Sequence, residues 1–419
     1  MLAYAVVPGA MANQTDPVAK TEAALDAWRM DEVRALLPTL PETEDGDYVR
    51  GLVANRTNDL EASKRYLQRA LPKLERKHSP RAANALMTLS DDYQKASAYA
   101  DQAMALQEAV AHHAKDIGQD AMPGVRDVLA LATALRDAPP QTIDFSGSSR
   151  VPIRRNPLGT LDVDAVANGV AGSWMLDSGA NYSVVSESFA TRLGLSVKGA
   201  LEGVGSSTGT AVPSRVAIVD EIHLGSATLH HVAVLVVRDD QLHIKLPGRE
   251  HQISAAFGFP VFQALGRIGF HGDRAISIGP ASGPLEGGVQ IYMDSLTPTI
   301  MVSTEGAIVP FVLDTGASST GLSAAYWNKV KGRAGTWPRA QHASAGMGGA
   351  KTFDTVTQPE WKFLLGKDEF ALRNVRIETV SRPGPGGPPM FGTLGQDLWA
   401  HAEGFTLDFQ SMRFRIDRH

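Results

Sequence analysis

The sequence contains no cysteine, which excludes thiol catalysis, disulfide bonds and cysteine-ligated metal sites. It also has no excess of basic residues, because 40 Lys and Arg stand against 45 Asp and Glu, a formal net charge of −5. We therefore expect neither nucleic acid nor an anionic membrane surface as a partner. No apolar run approaches the roughly 18 residues that a helix needs to cross a bilayer, so we expect no membrane span.

The N-terminal segment, residues 1–16, begins with a short apolar run that ends in Ala10-Met11-Ala12. Two small residues at this spacing are typical of a signal-peptidase site, although no basic residues precede the run. We expect either an export signal, which would place the protein in the periplasm or outside the cell, or an apolar tail. Such a tail would fold onto the next helix of a cytoplasmic protein.

Helix-forming residues dominate the segment 17–137, which is rich in Ala, Leu, Glu, Lys and Arg. Apolar residues recur there at three- and four-residue spacing, which predicts paired α-helices. Small and large residues also recur at a spacing that resembles a degenerate tetratricopeptide repeat. These residues are Gly51, Ser63, Leu67 and Ala70, followed by Gln102, Leu106 and Ala109. The alternative is a plain helical bundle, because small residues at helical spacing also serve ordinary helix packing.

Residues 138–149 interrupt the helical pattern with Pro, Gly and Ser and are predicted to be a linker. After them, short β-branched runs separated by turn residues predict an all-β region. We divide it into a first lobe, 150–283, and a second lobe, 284–419. The paired histidines at 112–113 and 230–231 lack partners at metal-ligand spacing, so we predict no metal and no cofactor.

A repeated motif defines the two lobes. Asp177-Ser178-Gly179-Ala180 in the first corresponds to Asp314-Thr315-Gly316-Ala317 in the second, and each aspartate follows an apolar, strand-like run. A glycine stands 81 residues after each aspartate, at Gly258 and Gly395. A glycine-rich turn lies between aspartate and glycine in both lobes, with Gly203 and Gly205 in the first and Gly346 and Gly348 in the second. The same features in the same order predict two matched halves.

This arrangement resembles the aspartic proteases, and within them the retropepsin-like kind, with both halves in one chain. The resemblance implies a multidomain α and β protein, with a helical repeat-like domain before an all-β, two-lobed pepsin/retropepsin-like acid protease fold. By position, Asp177 and Asp314 match the catalytic pair, while Ser178 and Thr315 match the hydroxyls that lock the two turns together. The glycines at 203, 205, 346 and 348 match the flaps that cover a bound peptide.

Three features set this sequence apart from pepsin-like enzymes. Ala180 and Ala317 stand where those enzymes usually have Ser, which favours the retropepsin-like branch. Neither flap contains a Tyr, and the two lobes differ after their glycines, with Phe259-Pro260 in the first and Gln396-Asp397 in the second. We expect Asp397, which has no counterpart in the first lobe, to make a local structural hydrogen bond.

Two neighbouring carboxyls can share one proton, because like charges disfavour double ionisation. One can then deprotonate a water while the other protonates the amide. Gly179 and Gly316 allow the tight turns and leave backbone N–H groups to face the carboxyls. Because Ala180 and Ala317 bring no hydroxyl, we expect activity to extend to milder pH than pepsin's.

The sequence thus predicts an aspartic endopeptidase that hydrolyses extended protein or peptide segments. The alternative is a catalytically weak or inactive relative that serves as a peptide-binding or interaction scaffold. The helical domain is expected to bind a protein partner, to position substrate, or to occlude the cleft as a built-in inhibitor.

Overall fold

The computed structural model describes residues 16–206, 209–246, 248–381, 390–400 and 402–417. Of the predicted signal or tail segment, residues 1–15 lie outside these ranges. The N-terminal part of the described chain is helical and the remainder consists mainly of strands. The prediction of a helical region followed by a β region is therefore confirmed.

The N-terminal region is built of α-helices joined by short turns. Thr43 accepts the N–H of Gly46, and Asp59 accepts the N–H of Ala62. These caps satisfy backbone donors that have no partner within a helix. The helices are α1 Pro17–Asp26, α2 Met30–Leu36, α3 Glu44–Arg56, α4 Leu60–Arg76, α5 Arg81–Lys95, α6 Tyr99–His112, α7 Ala114–Ile117 and α8 Met122–Ala134.

Close packing joins α3 to α4. A Cβ atom on Gly51 would lie 2.5 Å from Cγ of Leu67, so only glycine allows this approach. The buried Ser63 hydroxyl lies within hydrogen-bond distance of the Gly51 carbonyl, at 3.0 Å, and of Asp92 Oδ2, at 2.6 Å. The spaced residues that suggested a repeat are thus buried at the contacts between helices.

The β region divides into a first half and a second half. The first half contains β1 Thr142–Phe145, β2 Ser149–Arg155, β3 Leu161–Ala167, β4 Val170–Leu176, β5 Ser183–Ser186, α9 Glu187–Arg192, β6 Lys198–Gly205, β7 Ala211–Leu224, β8 Ala227–Val237, β9 His243–Leu246, β10 Arg249–Gln252, β11 Ala255–Phe257, α10 Phe259–Leu265, β12 Arg267–His271 and β13 Ala275–Ile278. The second half contains β14 Val289–Asp294, β15 Thr297–Thr304, β16 Ala307–Leu313, β17 Gly321–Leu322, α11 Ala324–Val330, β18 Arg339–Gly346, β19 Gly349–Leu365, β20 Asp368–Glu378, β21 Gly392–Leu394, β22 Gly404–Asp408 and β23 Arg413–Asp417.

The same pairing scheme appears in both halves. In the first, β4 runs parallel to β11, and β5 lies between β11 and β8. In the second, β16 runs parallel to β21, and β17 lies between β21 and β20. The strands that precede the two aspartates therefore occupy corresponding places.

A shared antiparallel sheet joins the halves in the strand order β2-β13-β12-β22-β23-β14. Strand β2 continues into the sheet of the first half through β3, and β14 continues into that of the second through β15. Backbone hydrogen bonds thus run from one half into the other.

Aromatic side chains fill the core beneath both acid-bearing strands. Trp174, three residues before Asp177, stacks on Phe257 with ring centroids 4.4 Å apart. Phe311, three residues before Asp314, stacks on Trp361 at 5.3 Å. Burying such rings contributes strongly to stability, so each acid follows a firmly anchored strand.

The helical region packs on both halves. Gln94 of α5 donates a hydrogen bond to the Tyr182 hydroxyl in the first half. In the second half, Ser295 donates its hydroxyl to Asp91 Oδ1 at 2.6 Å. The two contacts fix the helices against the loops that follow Asp177 and β14.

The segment 138–149, expected to be a linker, contributes a strand. Residues 142–145 form β1, which pairs antiparallel with the edge of β8, with Thr142 opposite His230 and Phe145 opposite Ala227. Backbone pairing outweighs the local Pro and Ser content that suggested a loop.

Among the described helices, none combines the length and apolar character needed to cross a bilayer.

We expect Gly51→Val to destabilise the helical region, because its branched side chain would overlap Leu67. Overpacking of this kind typically costs about 1–3 kcal/mol. The measurement is urea unfolding followed by circular dichroism. Ala100→Val, at an exposed position of α6, is the control and should lose about 0.5 kcal/mol from helix propensity. Equal losses in the two variants would contradict the tight α3–α4 contact.

Candidate active site

Both aspartates stand at the carboxyl end of a strand. Asp177 follows β4, and its backbone N–H donates to the Phe257 carbonyl at 3.1 Å. Asp314 follows β16, and its backbone N–H donates to the Leu394 carbonyl, also at 3.1 Å. Each turn is therefore tied to the strand that runs parallel to its own.

The two glycines that lie 81 residues after the aspartates press against the acid-bearing turns. A Cβ atom on Gly258 would lie 2.4 Å from the Tyr182 carbonyl, and one on Gly395 would lie 2.6 Å from the Ser319 carbonyl carbon. Real side chains do not reach such distances, so both positions require glycine. The repeated spacing in the sequence thus records a repeated close approach of two backbones.

Crossed hydrogen bonds join the two turns. The Ser178 N–H donates to Thr315 Oγ1 at 2.9 Å, and the Thr315 N–H donates to Ser178 Oγ at 3.0 Å. Each hydroxyl then donates onward across the interface, Ser178 to the Leu313 carbonyl at 3.2 Å and Thr315 to the Leu176 carbonyl at 2.9 Å. Both side chains are fully buried. All four polar groups are satisfied by the opposite half.

The carboxyl groups face each other across this junction. Asp177 Oδ1 accepts the N–H groups of Gly179 and Ala180 at 3.1 and 3.0 Å, and Asp314 Oδ1 accepts that of Gly316 at 2.7 Å. A Cβ atom on Gly179 would lie 2.5 Å from Asp314 Cγ, and one on Gly316 would lie 2.4 Å from Asp177 Cγ. The glycines therefore leave just enough room for the opposite acid.

The two carboxyls hydrogen-bond to each other and titrate as a pair. Burial, followed by the neighbouring charge of Asp314, raises the pKa of Asp177 well above its ordinary value. Burial also raises the pKa of Asp314, against the opposing effect of the Gly316 N–H. One proton shared between the two acids is the state that these surroundings favour, because double ionisation would place like charges together.

The predicted flap glycines lie on two hairpins. Gly205 ends β6, whereas Gly203 lies within that strand. Gly346 ends β18, and Gly348, with φ of +89°, occupies the turn to β19.

The tip of the β18–β19 hairpin rests on the first half. The Gly348 N–H donates to the Gln241 carbonyl at 2.8 Å. A Cβ atom on Gly348 would lie 2.8 Å from Val212 Cγ2, on β7. The β6–β7 and β18–β19 hairpins therefore meet.

Helix α8 packs against the β6–β7 hairpin. Leu131 of α8 belongs to one apolar cluster with Leu201 of β6 and Val212 of β7. Asp127 of α8 accepts a hydrogen bond from the Glu202 backbone, which lowers its pKa, while burial raises it more strongly. The β6–β7 hairpin is thus backed by the helical region, a contact that the sequence pattern did not indicate.

Polar side chains after Gly395 support the Asp314 turn. Gln396 donates its side-chain amide to the Thr315 carbonyl at 2.8 Å and accepts from Arg155 at 2.6 Å. Asp397 accepts the N–H and the hydroxyl of Thr320 at 2.7 and 2.6 Å. Asp397 thus makes a structural hydrogen bond, as expected, but its partner lies 77 residues away in the sequence. The roles of Gln396 and Arg155 were not predicted, because they lie 241 residues apart in the sequence.

The first half uses packing at the equivalent place. Phe259 follows Gly258, is fully buried and packs edge-on against Phe409 at 5.3 Å. The first half thus supports its turn with the apolar Phe259-Pro260, where the second half uses the polar Gln396-Asp397.

Within the described ranges, no group of three or more His, Asp or Glu side chains is placed to hold a metal ion.

Sequence comparison matches residues 163–253 to a family described as aspartyl protease. The matched segment contains the Asp177 turn. Residues 163–253 thus belong to an aspartyl-protease-like domain. In a structural comparison, the chain is similar to basic 7S globulin from soybean, with a TM-score of 0.41 and 10% sequence identity over 65% of this chain and 95% of that one. No curated protein matches the sequence.

We expect Thr315→Val to weaken the junction, because the buried Ser178 N–H would lose its acceptor. Leaving a buried donor unpaired costs about 1–3 kcal/mol of unfolding free energy. Urea unfolding measures this loss. The matched control, Thr315→Ser, keeps the hydroxyl and loses only methyl packing. Equal losses in both variants would show that the crossed hydrogen bonds contribute nothing.

The pH dependence of the unfolding free energy should also show that the two acids interact. Because the pKa of Asp177 is higher in the folded protein than its ordinary 3.8, the associated stability is present below that value and is lost as pH rises through the raised pKa. Asp314→Asn removes the repelling charge, so its unfolding free energy should increase relative to the parent between acidic and neutral pH. Asp220→Asn, on the exposed side of β7, should show no such increase. A pH-independent difference for Asp314→Asn would contradict the pairing.

Proposed function

We propose that the protein is an aspartic endopeptidase in which Asp177 and Asp314 activate water for peptide hydrolysis. The observation that carries the proposal is the junction of crossed hydrogen bonds, which holds two partly buried carboxyls together in surroundings that raise the pKa of Asp177. Juxtaposing two acids is costly, and a structural turn needs only one. Acid–base catalysis gains from both.

In the proposed reaction, the ionised carboxyl of the pair accepts a proton from water as the water oxygen attacks the peptide carbonyl carbon. The protonated carboxyl donates its proton to the carbonyl oxygen. Collapse of the resulting tetrahedral species breaks the C–N bond: one of its two hydroxyls returns a proton to the ionised carboxyl as the C=O bond re-forms, and the departing nitrogen takes up a proton from the other carboxyl. The cycle returns the single shared proton, so no outside acid is consumed. As the two acids exchange roles, neither Asp177 nor Asp314 is the permanent donor.

The proposed substrate is an extended segment of protein or peptide. In this proposal the β6–β7 and β18–β19 hairpins, which meet where Gly348 approaches Val212, cover the site, and their tips separate to admit a chain. Closure over an extended peptide would exclude water and position the amide. In this proposal the halves act as the two lobes of a retropepsin-like enzyme, with the hairpins as flaps.

The helical region is proposed to be a tetratricopeptide-like module that supports the β6–β7 hairpin. Its contacts to Tyr182 and Ser295 favour a structural role for the face that meets the β halves. Recruitment of a protein partner would then fall to its outer face. We further propose export to the periplasm or the outside of the cell, on the basis of residues 1–16.

Cleavage of a denatured protein, followed by mass spectrometry from acidic to neutral pH, tests the proposal. We expect the parent to produce fragments, and both Asp177→Asn and Asp314→Asn to be slower by at least about 10²–10⁴-fold, the usual contribution of acid–base catalysis. Asp220→Asn, an exposed aspartate outside the site, should cleave like the parent.

Two controls sharpen the result. Removal of residues 1–141 tests whether the helical region occludes the site, since activity that appears only then would indicate a built-in inhibitor. If neither form cleaves, while the Asp314→Asn protein still binds peptides, the chain is a peptide-binding scaffold and the proposed function is wrong.

A further inference from the structure

A cationic side chain, Arg376, lies between the loop that follows the Asp314 turn and the β18–β19 hairpin. Arg376 stands on β20, where its neighbours Val375 and Ile377 are buried in the main core. Because side chains alternate across a strand, Arg376 projects from the opposite face of the sheet. Its Nη2 donates to Ser319 Oγ at 2.5 Å, and its Nη1 lies 3.3 Å from His342 Nδ1.

These contacts link the guanidinium to the loop that follows the Asp314 turn and to the β18–β19 hairpin. Ser319 is the fifth residue after Asp314, within the loop that leaves the active-site turn. His342 belongs to β18, the first strand of the β18–β19 hairpin. Arginine has donors only, so His342 Nδ1 must accept and its ring proton must reside on Nε2. Arg376 thus connects the loop after the Asp314 turn to the β18–β19 hairpin.

Strand register identifies the equivalent position in the first half. Gly321, seven residues after Asp314, pairs in parallel with Arg376. Val184, seven residues after Asp177, pairs in parallel with Leu235. Leu235 is therefore the counterpart of Arg376, and only one of the two halves places a charge there.

The surroundings of Leu235 are apolar throughout. Tyr182, the counterpart of Ser319, and Leu201 of β6 belong with Leu235 to one buried cluster, which also includes Leu131 of the helical region. On the first half this position is therefore closed by packing. On the second half it is polar, and a guanidinium replaces an aliphatic side chain.

The charge of Arg376 is incompletely matched. Asp397 and Glu378 act on it from a distance, while partial burial lowers its pKa. Within the described part of the chain, its hydrogen bonds go to the neutral partners Ser319 and His342, and no carboxylate forms an ion pair with it. A partly desolvated guanidinium gains most from a carboxylate, which accepts two parallel hydrogen bonds.

We propose that Arg376 and Ser319 form a subsite for an acidic side chain, so that peptides with Glu or Asp on the second-half side of the site are preferred. Turnover of such peptides rests on the proposed function, but their binding does not. The asymmetry between Arg376 and Leu235 fixes the direction of the bound peptide, because its acidic residue must face the second half.

Peptide binding to the Asp314→Asn protein tests this subsite without turnover. The probes are fluorescein-labelled short peptides with one Glu moved through successive positions of an apolar, extended sequence, together with matched Gln and Lys sets. At one position we expect Glu to bind about 10- to 100-fold more tightly than Gln, the range for hydrogen bonds to a charged group. Fluorescence anisotropy gives the affinities.

Variants of Arg376 in the same background separate recognition from support of the fold. Arg376→Met should abolish the preference for Glu over Gln while leaving Gln peptides within about threefold. Arg376→Lys, which keeps the charge without the planar fork, should retain part of it. Arg376→Glu should shift the preference at that position from Glu to Lys. Thermal melts establish which variants are folded. If Arg376→Met and Arg376→Glu do not fold, the test uses the conservative variant Arg376→Lys.

Several results would overturn the subsite. Absence of a Glu preference, including absence of any binding, excludes it. Equal weakening of Glu, Gln and Lys peptides by Arg376→Met would make Arg376 a brace between Ser319 and His342. Cleavage by the parent without a Glu preference would remove the subsite and leave the proposed function intact. A Glu preference in a parent that does not cleave would support the subsite and contradict the proposed function.

Discussion

The crossed hydrogen bonds between Ser178 and Thr315 are the constraint on which the rest of the structure depends. Two neighbouring carboxyls repel when both are ionised, and nothing in either turn alone would hold them together. Each turn instead presents an N–H that only the other turn's hydroxyl can satisfy. Because an unpaired buried donor is costly, each turn requires the other half of the β region to complete its hydrogen bonding.

The remaining architecture holds that junction in register. The shared sheet carries backbone hydrogen bonds from β2 to β14 through strands of both halves. The helical region adds a second connection, through Tyr182 on one side and Ser295 on the other. A site that depends on the separation of two acids is sensitive to small displacements, and two independent connections resist the relative movement of the halves. The helices are therefore part of the framework of the site.

The two halves match where they hold the acids and differ around them. Gly258 and Gly395 make the same close backbone approach, and Trp174 and Phe311 anchor the same strand position. Away from the acids, Phe259 is replaced by Gln396 and Leu235 by Arg376. A pair of identical halves would present a peptide with the same surroundings in either direction. Apolar packing on one side and a guanidinium on the other make the two halves chemically different around the acids. If the proposed function holds, this difference would distinguish the two directions of a bound peptide.

The sequence by itself determined the helical and β regions, through their different hydrophobic periods, and it indicated the matched turns, through two motifs with the same 81-residue spacing. Those signals are local or repeated, so they can be read along the chain. It did not indicate that residues 142–145 would pair with β8, that α8 would back the β6–β7 hairpin, or that Arg155 would support Gln396. Arg376 gave no signal either, because it lies 62 residues from Asp314 and becomes distinctive only beside Ser319 and His342. Tertiary structure alone decided these contacts, since each depends on surfaces that meet only after distant segments have packed.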